Sequence, residues 1–529
     1  MTNLFLDALR KHNILTENGA VSNNTTGNIL LDQFSKSATY KNRDIQLVFD
    51  DMSAAFGESP LISLYLTFYL RMITRKLKGD TETEKVQSGQ GVRDESFKRF
   101  VWLARYQPDI FYKNMWLIPV VGTWKDLWHE TLIHELNRDK VYGLVAYCIQ
   151  NYNKELIAKY LPRIRSKSNT RNQRHKDLNK WVIGFCKFIG WTEKEYRKFK
   201  STGQAHVFQR TICSRMYDKI DWKTIPGKAL NMLTVAKGSD NLTFIERHGL
   251  VDNYIDWLKE QPTAKFTGYV HDLFLQATIG EKLSLVQKMT IDKQFDGLIE
   301  LGKQNEGGIH GNVICALDTS ESMTWPEAKL KDDLYAYDIC LSLGIYFSNL
   351  NSGYFKDQVI MFSNMSDILK LSGTFSDKVN QLINGSTYQG GTNFQSVIDE
   401  IVRVRLEDPN IPIEDFPETL IVVSDMQFNP SGRDSQTNYE VAMKKLSDVG
   451  LRNMKIVWWW VTGRKKDFPS TIEDNGVTMI GGYDPSIITL LLGGEQTTID
   501  KTTGEVRQLN AYEQMLKALT QEILLEVKL

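Results

Sequence analysis

The sequence is poor in cysteine and has no excess of either charge. Its 529 residues include only five cysteines, an odd number, and no two of them have C-x-x-C spacing. This pattern argues against a disulfide framework or a zinc site and favours a reducing, intracellular environment, so we expect a cytoplasmic protein. Lys plus Arg and Asp plus Glu both number 64. Binding to a polyanion must therefore depend on a local excess of charge.

Long apolar runs are also missing. The most apolar candidate, residues 61–70, is far shorter than the roughly 20 residues that a membrane helix needs. Residues 1–15 carry Asp7, Arg10 and Lys11 within their apolar pattern, so they do not resemble a signal peptide. We expect no membrane partner.

The periodicity of apolar residues divides the chain in two. Over residues 1–305 they recur at spacings of three and four, which predicts consecutive helices and favours a stacked, HEAT-like solenoid. After the glycine-rich break at residues 306–308, short β-branched runs alternate with helical patterns. The sequence thus predicts an α-helical region over 1–305 and a doubly wound α/β domain over 306–529.

The predicted strands of the second segment are short and strongly apolar. A parallel sheet with helices on both faces accounts for such continuous apolar runs. The predicted strands are residues 312–317, 358–362, 419–423, 455–461 and 477–480, with helices near 334–350, 393–406, 439–449 and 511–527.

Oxygen-bearing side chains follow three of these elements. Residues 318–322 read D-T-S-E-S after the first strand, residues 390–393 read G-G-T-N before a helix, and Ser424-Asp425 ends a third strand. In a doubly wound sheet such loops meet at the carboxyl ends of the strands. Carboxylates and hydroxyls are hard oxygen ligands, so the pattern predicts a site for Mg²⁺, with Mn²⁺ or Ca²⁺ as alternatives. For one loop alone, a serine-rich turn that caps a helix would be the simpler interpretation.

This order of motifs resembles the metal-ion-dependent adhesion site (MIDAS) of von Willebrand factor A domains. The resemblance implies that Ser320, Ser322 and Thr392 coordinate the metal, and that Asp318 and Asp425 act directly or through water. Because neutral hydroxyls would leave the metal electrophilic, we expect it to accept an acidic side chain or a phosphate from a partner. The loops contain no histidine, D-x-D or G-x-S-x-G, so we predict that the protein is not an enzyme.

Two turns in the first segment have unusual sequences. Residues 89–95 read G-Q-G-V-R-D-E, and residues 118–127 read I-P-V-V-G-T-W-K-D-L. A helix, a turn and two more helices are the plain structural interpretation. The order nevertheless resembles the TROVE module of Ro autoantigen ribonucleoproteins, and especially an uncharacterised Ro-like group in plants, fungi and bacteriophages. That resemblance implies binding of structured or small non-coding RNA.

A basic stretch lies in the middle of the first segment. Residues 159–215 contain 15 Lys and Arg against three Asp and Glu. Nucleic-acid contact, a solvated helix face and an acidic protein partner all remain open for this stretch. The predicted nucleic-acid-binding residues are Arg163, Arg165, Lys167, Arg171, Arg174, His175 and Lys176.

The leading hypothesis is therefore a Ro-like, non-catalytic RNA-binding protein with a divalent-metal-binding A domain. The alternative is a metal-dependent interaction or assembly scaffold, of phage origin, that does not bind RNA. Polyanion binding that weakens steeply with salt would distinguish the two.

Overall fold

The computed structural model describes most of the chain, with short gaps. The described residues are 13–77, 85–166, 172–203, 207–236, 242–266, 268–278, 280, 283–304, 312–331, 333–351, 353–385, 390–408, 410–432, 436–463, 467–493, 495–500 and 504–529.

Helices dominate the first 304 residues. In the described part of this segment they are α1 (Ile29–Lys36), α2 (Ile45–Glu58), α3 (Pro60–Arg71), α4 (Asp94–Tyr106), α5 (Pro108–Asn114), α6 (Leu117–Val121), α7 (Arg138–Asn151), α8 (Lys154–Tyr160), α9 (Gln173–Ile189), α10 (Glu193–Thr202), α11 (Val207–Cys213), α12 (Gly227–Leu233), α13 (Phe244–Arg247), α14 (Val251–Glu260), α15 (Val270–Ala277) and α16 (Leu285–Gln304). Helices that are close in the chain pack on each other, as α2 does on α3 and α7 on α8. This nearest-neighbour packing is typical of stacked helix pairs.

Strands and helices alternate after residue 312. The helices there are α17 (Ala336–Leu350), α18 (Phe375–Gly385), α19 (Phe394–Glu407), α20 (Asn438–Asp448), α21 (Ser486–Leu492), α22 (Ala511–Leu519) and α23 (Glu522–Leu525). The strands of the whole described chain are β1 (Asn13–Leu15), β2 (Val21–Asn23), β3 (Arg75–Leu77), β4 (Lys85–Gln87), β5 (Val313–Asp318), β6 (Lys329–Lys331), β7 (Leu334–Tyr335), β8 (Gln358–Phe362), β9 (Ser366–Lys370), β10 (Thr419–Ser424), β11 (Lys455–Trp460), β12 (Val477–Gly481), β13 (Thr497–Ile499) and β14 (Val506–Gln508).

Six strands form the main sheet, in the order β12-β11-β10-β5-β8-β9. All neighbours are parallel except β8 and β9, which pair antiparallel at the edge. When these six strands are numbered 1 to 6 along the chain and read from β9, the order is 3-2-1-4-5-6, a doubly wound arrangement. Every residue of β5, β10 and β12 is buried, as a sheet covered on both faces requires. The predicted fold class, a helical region followed by a doubly wound α/β sheet of the A-domain type, is confirmed.

The five predicted strands are present, each within one residue of its predicted ends. The small strand pairs β1–β2, β3–β4, β6–β7 and β13–β14 were not predicted, and neither were β9, α18 and α21. β9 is short, and its side chains are half-buried or exposed, so it lacks the continuous apolar run that marks the inner strands.

Packing divides the chain into two compact units whose limits differ from the 305/306 boundary predicted from periodicity. The first, here called the sheet unit, comprises residues 1–41, 75–88 and 225–519. The second, here called the helical unit, comprises residues 42–74, 89–224 and 520–529. The difference has a physical cause: α1 packs against β12, and α15 packs against α17, so these early helices share the core of the sheet.

The predicted helix over residues 511–527 is not continuous. Gln521 is extended, with φ −61° and ψ 144°, and it separates α22 from α23. The apolar spacing of four continues across this break, which is why periodicity predicted one helix. The two parts belong to different units: α22 packs on β12 in the sheet unit, and α23 packs on α3 in the helical unit.

Candidate metal site and nucleic-acid surface

Asp318 is at the carboxyl end of β5, in the middle of the sheet, and is completely buried. Its Oδ1 accepts a hydrogen bond from the backbone N–H of Ser320 at 2.9 Å, and its Oδ2 accepts one from the Ser424 hydroxyl. The hydroxyl oxygens of Ser320 and Ser322 are 3.2 Å apart. The first loop therefore has its two serine hydroxyls side by side. The hydrogen bond from the Ser320 N–H to Asp318 fixes the backbone where the loop leaves β5.

The glycine-threonine loop is held against the loop that follows β10. The Thr392 N–H donates to Oδ1 of Asn429 at 3.2 Å, and the Asn429 N–H donates to the Thr392 carbonyl at 2.8 Å. A Cβ on Gly391 would lie 2.0 Å from Oδ1 of Asn364. A larger residue at this position would have to displace the Asn364 side chain, so glycine lets the loop pack closely against it.

The third loop contains a strained residue. Met426, directly after Asp425, has φ +64°, a left-handed conformation that is rare for side chains other than glycine. The Ser424 hydroxyl accepts a hydrogen bond from the Met426 N–H at 2.8 Å, and Oδ1 of Asp425 accepts one from the Gln427 N–H at 3.1 Å. These bonds keep the Asp425 carboxylate at the sheet edge, where backbone strain is common at functional sites.

The site concentrates negative charge in a dry environment. Burial, and then the nearby Asp425 carboxylate, raises the pKa of Asp318 to about 7. A bound cation would favour the ionised form of Asp318, because it would offset the repulsion from Asp425 and the cost of burying a charge. Within the described residues no three His, Cys, Asp or Glu side chains form a group that could hold a metal. A metal held at this edge would therefore need serine and threonine hydroxyls besides the carboxylates, and such oxygen donors fit Mg²⁺.

The structure brings all five predicted metal-site residues to one edge of the sheet. Ser322 and Thr392 line the same cavity of about 380 Å³. The Ser322 hydroxyl contacts the Ser320 hydroxyl, and the Ser320 N–H donates to Asp318. The charge of Asp425 in turn acts on Asp318. Their role as metal ligands stays a prediction.

Sequence reasoning missed a segment at this edge. Glu17 and Asn18, in a turn far from the other loops in the chain, also line the cavity. The Asn18 side-chain amide donates to the Gln427 carbonyl at 2.6 Å. The sequence feature that could have revealed this segment is the run T-E-N-G at residues 16–19, a polar turn between two pairs of apolar residues.

The predicted basic residues lie in the helical unit. Arg163, Arg165, Arg174 and Lys176 are exposed and His175 is partly buried, whereas Lys167 and Arg171 lie outside the described residues.

Two structural features orient this basic segment. The Asn179 side chain makes two hydrogen bonds, each 3.0 Å, with the backbone of Arg165. The Asn172 side chain caps α9 by accepting a hydrogen bond from the His175 N–H at 3.0 Å. The cationic side chains therefore lie near a helix N-terminus, which itself favours anions.

The cationic surface extends beyond the predicted residues. The Lys200 ammonium donates to the carbonyls of Ala158 and Lys159 at 2.7 and 2.8 Å. Burial, and then the neighbouring charges of Arg163 and Lys125, lowers the pKa of Lys200 to about 8. Lys125 and Lys200 therefore belong to the same basic neighbourhood as Arg163. Lys200 belongs to the basic stretch 159–215, whereas Lys125 lies outside it in the chain.

The two unusual turns of the helical unit have a structural role. The Arg71 guanidinium and the Asp126 carboxylate form a buried ion pair with N···O distances of 2.6 and 2.7 Å. A Cβ on Gly122 would lie 2.2 Å from that carboxylate. Gly91, in the other turn, has φ +66°, and its N–H donates to the Met72 carbonyl at 2.7 Å. Both turns pack against the end of α3.

The two units carry opposite net charges. The helical unit has 29 Lys and Arg against 19 Asp and Glu, a net charge of +10. The sheet unit has 35 against 45, a net charge of −10. The balanced charge of the whole chain thus conceals a basic unit and an acidic unit.

Comparisons with known proteins give three similarities. The family model described as "Domain of unknown function (DUF7788)" matches residues 312–524. The chain is 22% identical over 517 residues to the uncharacterized protein L728 of Acanthamoeba polyphaga mimivirus, covering 91% of this chain and 85% of that protein. The crystal structure of the Deinococcus radiodurans RO (RSR) protein is similar with a TM-score of 0.30 and 12% identity, over 82% of this chain and 86% of that one. Separately, among the described residues no helix combines the length and apolar character needed to cross a membrane.

Proposed function

We propose that this chain is a non-catalytic RNA-binding protein that also binds a divalent cation, preferably Mg²⁺. The observation that carries the RNA proposal is the net charge of +10 on the helical unit, together with the exposed cations of one segment. Phosphate contacts supply most of the affinity in nucleic-acid binding, and they need such a surface. We propose structured or small non-coding RNA as the partner, and the cytoplasm as the location.

The metal proposal is supported by the donor set at the sheet edge. Two buried carboxylates and three hydroxyls converge there without a histidine that could serve as a general base. When bound, a divalent cation would supply positive charge that offsets these carboxylates and an electrophilic centre for an acidic ligand. The residues that would hold it are Asp318, Ser320, Ser322, Thr392 and Asp425.

The RNA proposal is tested by reversing charge on the basic segment. Changing Arg163, Arg165 and Arg174 to Glu removes up to three phosphate contacts. We expect the slope of log affinity against log salt to fall by about 2 to 3, since each contact contributes roughly 0.7–0.9. Fluorescence anisotropy with a labelled RNA hairpin measures this. A control variant reverses three other exposed cations of the helical unit: Arg138, Lys140 and Lys154.

The control should keep the parental slope. Equal slopes in the parent and the Arg163, Arg165, Arg174 variant would show that the segment is a solvated face, and would overturn the assignment of RNA binding to it.

A metal-dependent protein-interaction scaffold is the second candidate. The observation that favours it is Trp325, which is 43% exposed and lines the same cavity as Ser322 and Thr392. Exposed tryptophan is enriched among the energetically dominant residues of protein interfaces. A parent chain that binds no RNA at low salt would favour this function over the first.

A further inference from the structure

We infer that Glu17 is an internal acidic ligand for the cation at the sheet edge, an inference that rests on the proposed metal site. The turn at residues 16–20, here called the N-terminal turn, carries Glu17 to the cavity that Ser322 and Thr392 also line. The chain would thereby supply the carboxylate that an external partner otherwise provides, and a partner would have to displace it.

Hydrogen bonds fix the N-terminal turn at this position. The Glu17 N–H donates to Oε1 of Gln427 at 2.9 Å, and the Thr16 hydroxyl donates to the Phe428 carbonyl at 2.7 Å. The turn is closed by the Gly19 N–H, which donates to the Thr16 carbonyl at 3.0 Å. Gly19 has φ +88°, which favours glycine. The backbone at Glu17 is therefore held in place before any metal binds.

Gln427 connects this turn to the metal loop. Its side-chain amide donates to Oδ2 of Asp467 at 2.6 Å, and its backbone N–H donates to Oδ1 of Asp425 at 3.1 Å. Asp467 is buried and paired with Lys36, whose ammonium lies 4.0 Å from the ring centroid of Phe468. The residue that positions Glu17 thus also positions a carboxylate of the metal site, within a fully packed network.

Glu17 would add a negative oxygen ligand at the cavity itself, where Ser322 and Thr392 lie. Both carboxylate oxygens of Asp318 already accept hydrogen bonds within the protein. Ser322 and Thr392 provide neutral oxygen atoms at the cavity. A divalent cation there has few negative direct ligands, and Mg²⁺ favours carboxylate oxygens. Glu17 is exposed and lines this cavity, and a glutamate side chain is one methylene longer than that of aspartate.

The test uses Mn²⁺ as the probe and the full chain. Calorimetry gives the affinity, and water-proton relaxation gives the number of water molecules on the bound ion. We expect Glu17→Gln to weaken Mn²⁺ binding by about tenfold and to add about one water molecule to the bound ion, because one carboxylate ligand is lost. Added acetate should displace that water in the variant and have little effect in the parent.

Glu327→Gln is the matched control. Glu327 is exposed, lies five residues after Ser322 in the chain and is not among the residues that line the cavity. This variant removes the same charge and should keep the parental affinity and hydration. Parental affinity and hydration in Glu17→Gln, with binding abolished in Asp318→Ala, would overturn the inference and leave the metal site standing. If the parent binds no Mn²⁺, the proposed metal site itself fails, and the inference fails with it.

Discussion

The buried Asp318 carboxyl should make the metal-free protein lose stability as pH rises. Its pKa is raised from 3.8 to about 7, first by burial and then by Asp425. In the unfolded chain the carboxyl ionises near its ordinary pKa, whereas in the folded chain it stays protonated until about pH 7. The stabilising contribution is therefore complete below about pH 4 and is lost as pH rises through 7.

The size of this effect follows from the shift. A difference of roughly three pKa units, at 1.36 kcal/mol each, corresponds to about 4 kcal/mol of unfolding free energy between pH 4 and pH 8. Asp318→Asn removes the ionisable group but keeps an oxygen that can accept the hydrogen bond from the Ser320 N–H. In the presence of a chelator, we expect Asp318→Asn to lose most of this pH dependence of the unfolding free energy. Mg²⁺ should stabilise the parent more at pH 8 than at pH 5, because the cation neutralises the ionised pair.

Urea unfolding in the presence of a chelator measures the effect. The three consecutive buried residues Trp458, Trp459 and Trp460 are in β11 and report on the sheet by fluorescence. Asp367→Asn serves as the control, since Asp367 is exposed on the edge strand β9. The reasoning is refuted if Asp318→Asn shows the same fall in stability from pH 5 to pH 8 as the parent and as the control.

Two further predictions concern the packing of the units. Asp126→Ala leaves the buried Arg71 guanidinium without its carboxylate and should lower the unfolding free energy, measured with urea, by about 3–5 kcal/mol. Replacing both residues by apolar ones should lower it much less. A loss below about 1 kcal/mol for Asp126→Ala would contradict the structural role given to this ion pair. A fragment of residues 312–529 lacks α1 and α15, whose buried apolar faces pack on β12 and α17. We therefore expect the fragment to bind a hydrophobic dye and to aggregate. A monomeric fragment that melts cooperatively at the parental temperature would show that the sheet folds without α1 and α15.

The inner strands could be predicted because their physical cause is local. A strand buried on both faces must be continuously apolar, as residues 456–461 are, and turn residues mark its ends. β9 could not be found in this way, since it is an edge strand with one exposed side. Its assignment depends on pairing with β8, and pairing is not a property of five residues alone.

The division into units could not be predicted because periodicity shows that a helix has an apolar face but not what covers it. The face of α1 carries Leu30, Leu31 and Phe34, all buried, and the pattern would serve equally well in either unit. The same holds for the 511–527 segment, where one continuous spacing serves two helices that pack in different units. Long-range partners of this kind are decided by tertiary packing.

The loops of the metal site were predictable for a different reason. In a doubly wound sheet the carboxyl ends of the strands share one edge, so chemistry-bearing residues at strand ends can be placed together once the strands are known. Asp318 and Asp425 meet this condition, and Thr392 lies just before a helix of the same alternating pattern. Glu17 does not, because its turn follows a minor strand outside the main sheet and is held at the edge by tertiary hydrogen bonds to Gln427 and Phe428.

The opposite charges of the two units fit the two proposed ligands. A polyanion is attracted to the helical unit, with its net charge of +10, and a divalent cation to the sheet unit, with −10. The whole chain keeps a net charge of zero, so this separation becomes visible only when packing, rather than sequence order, defines the units.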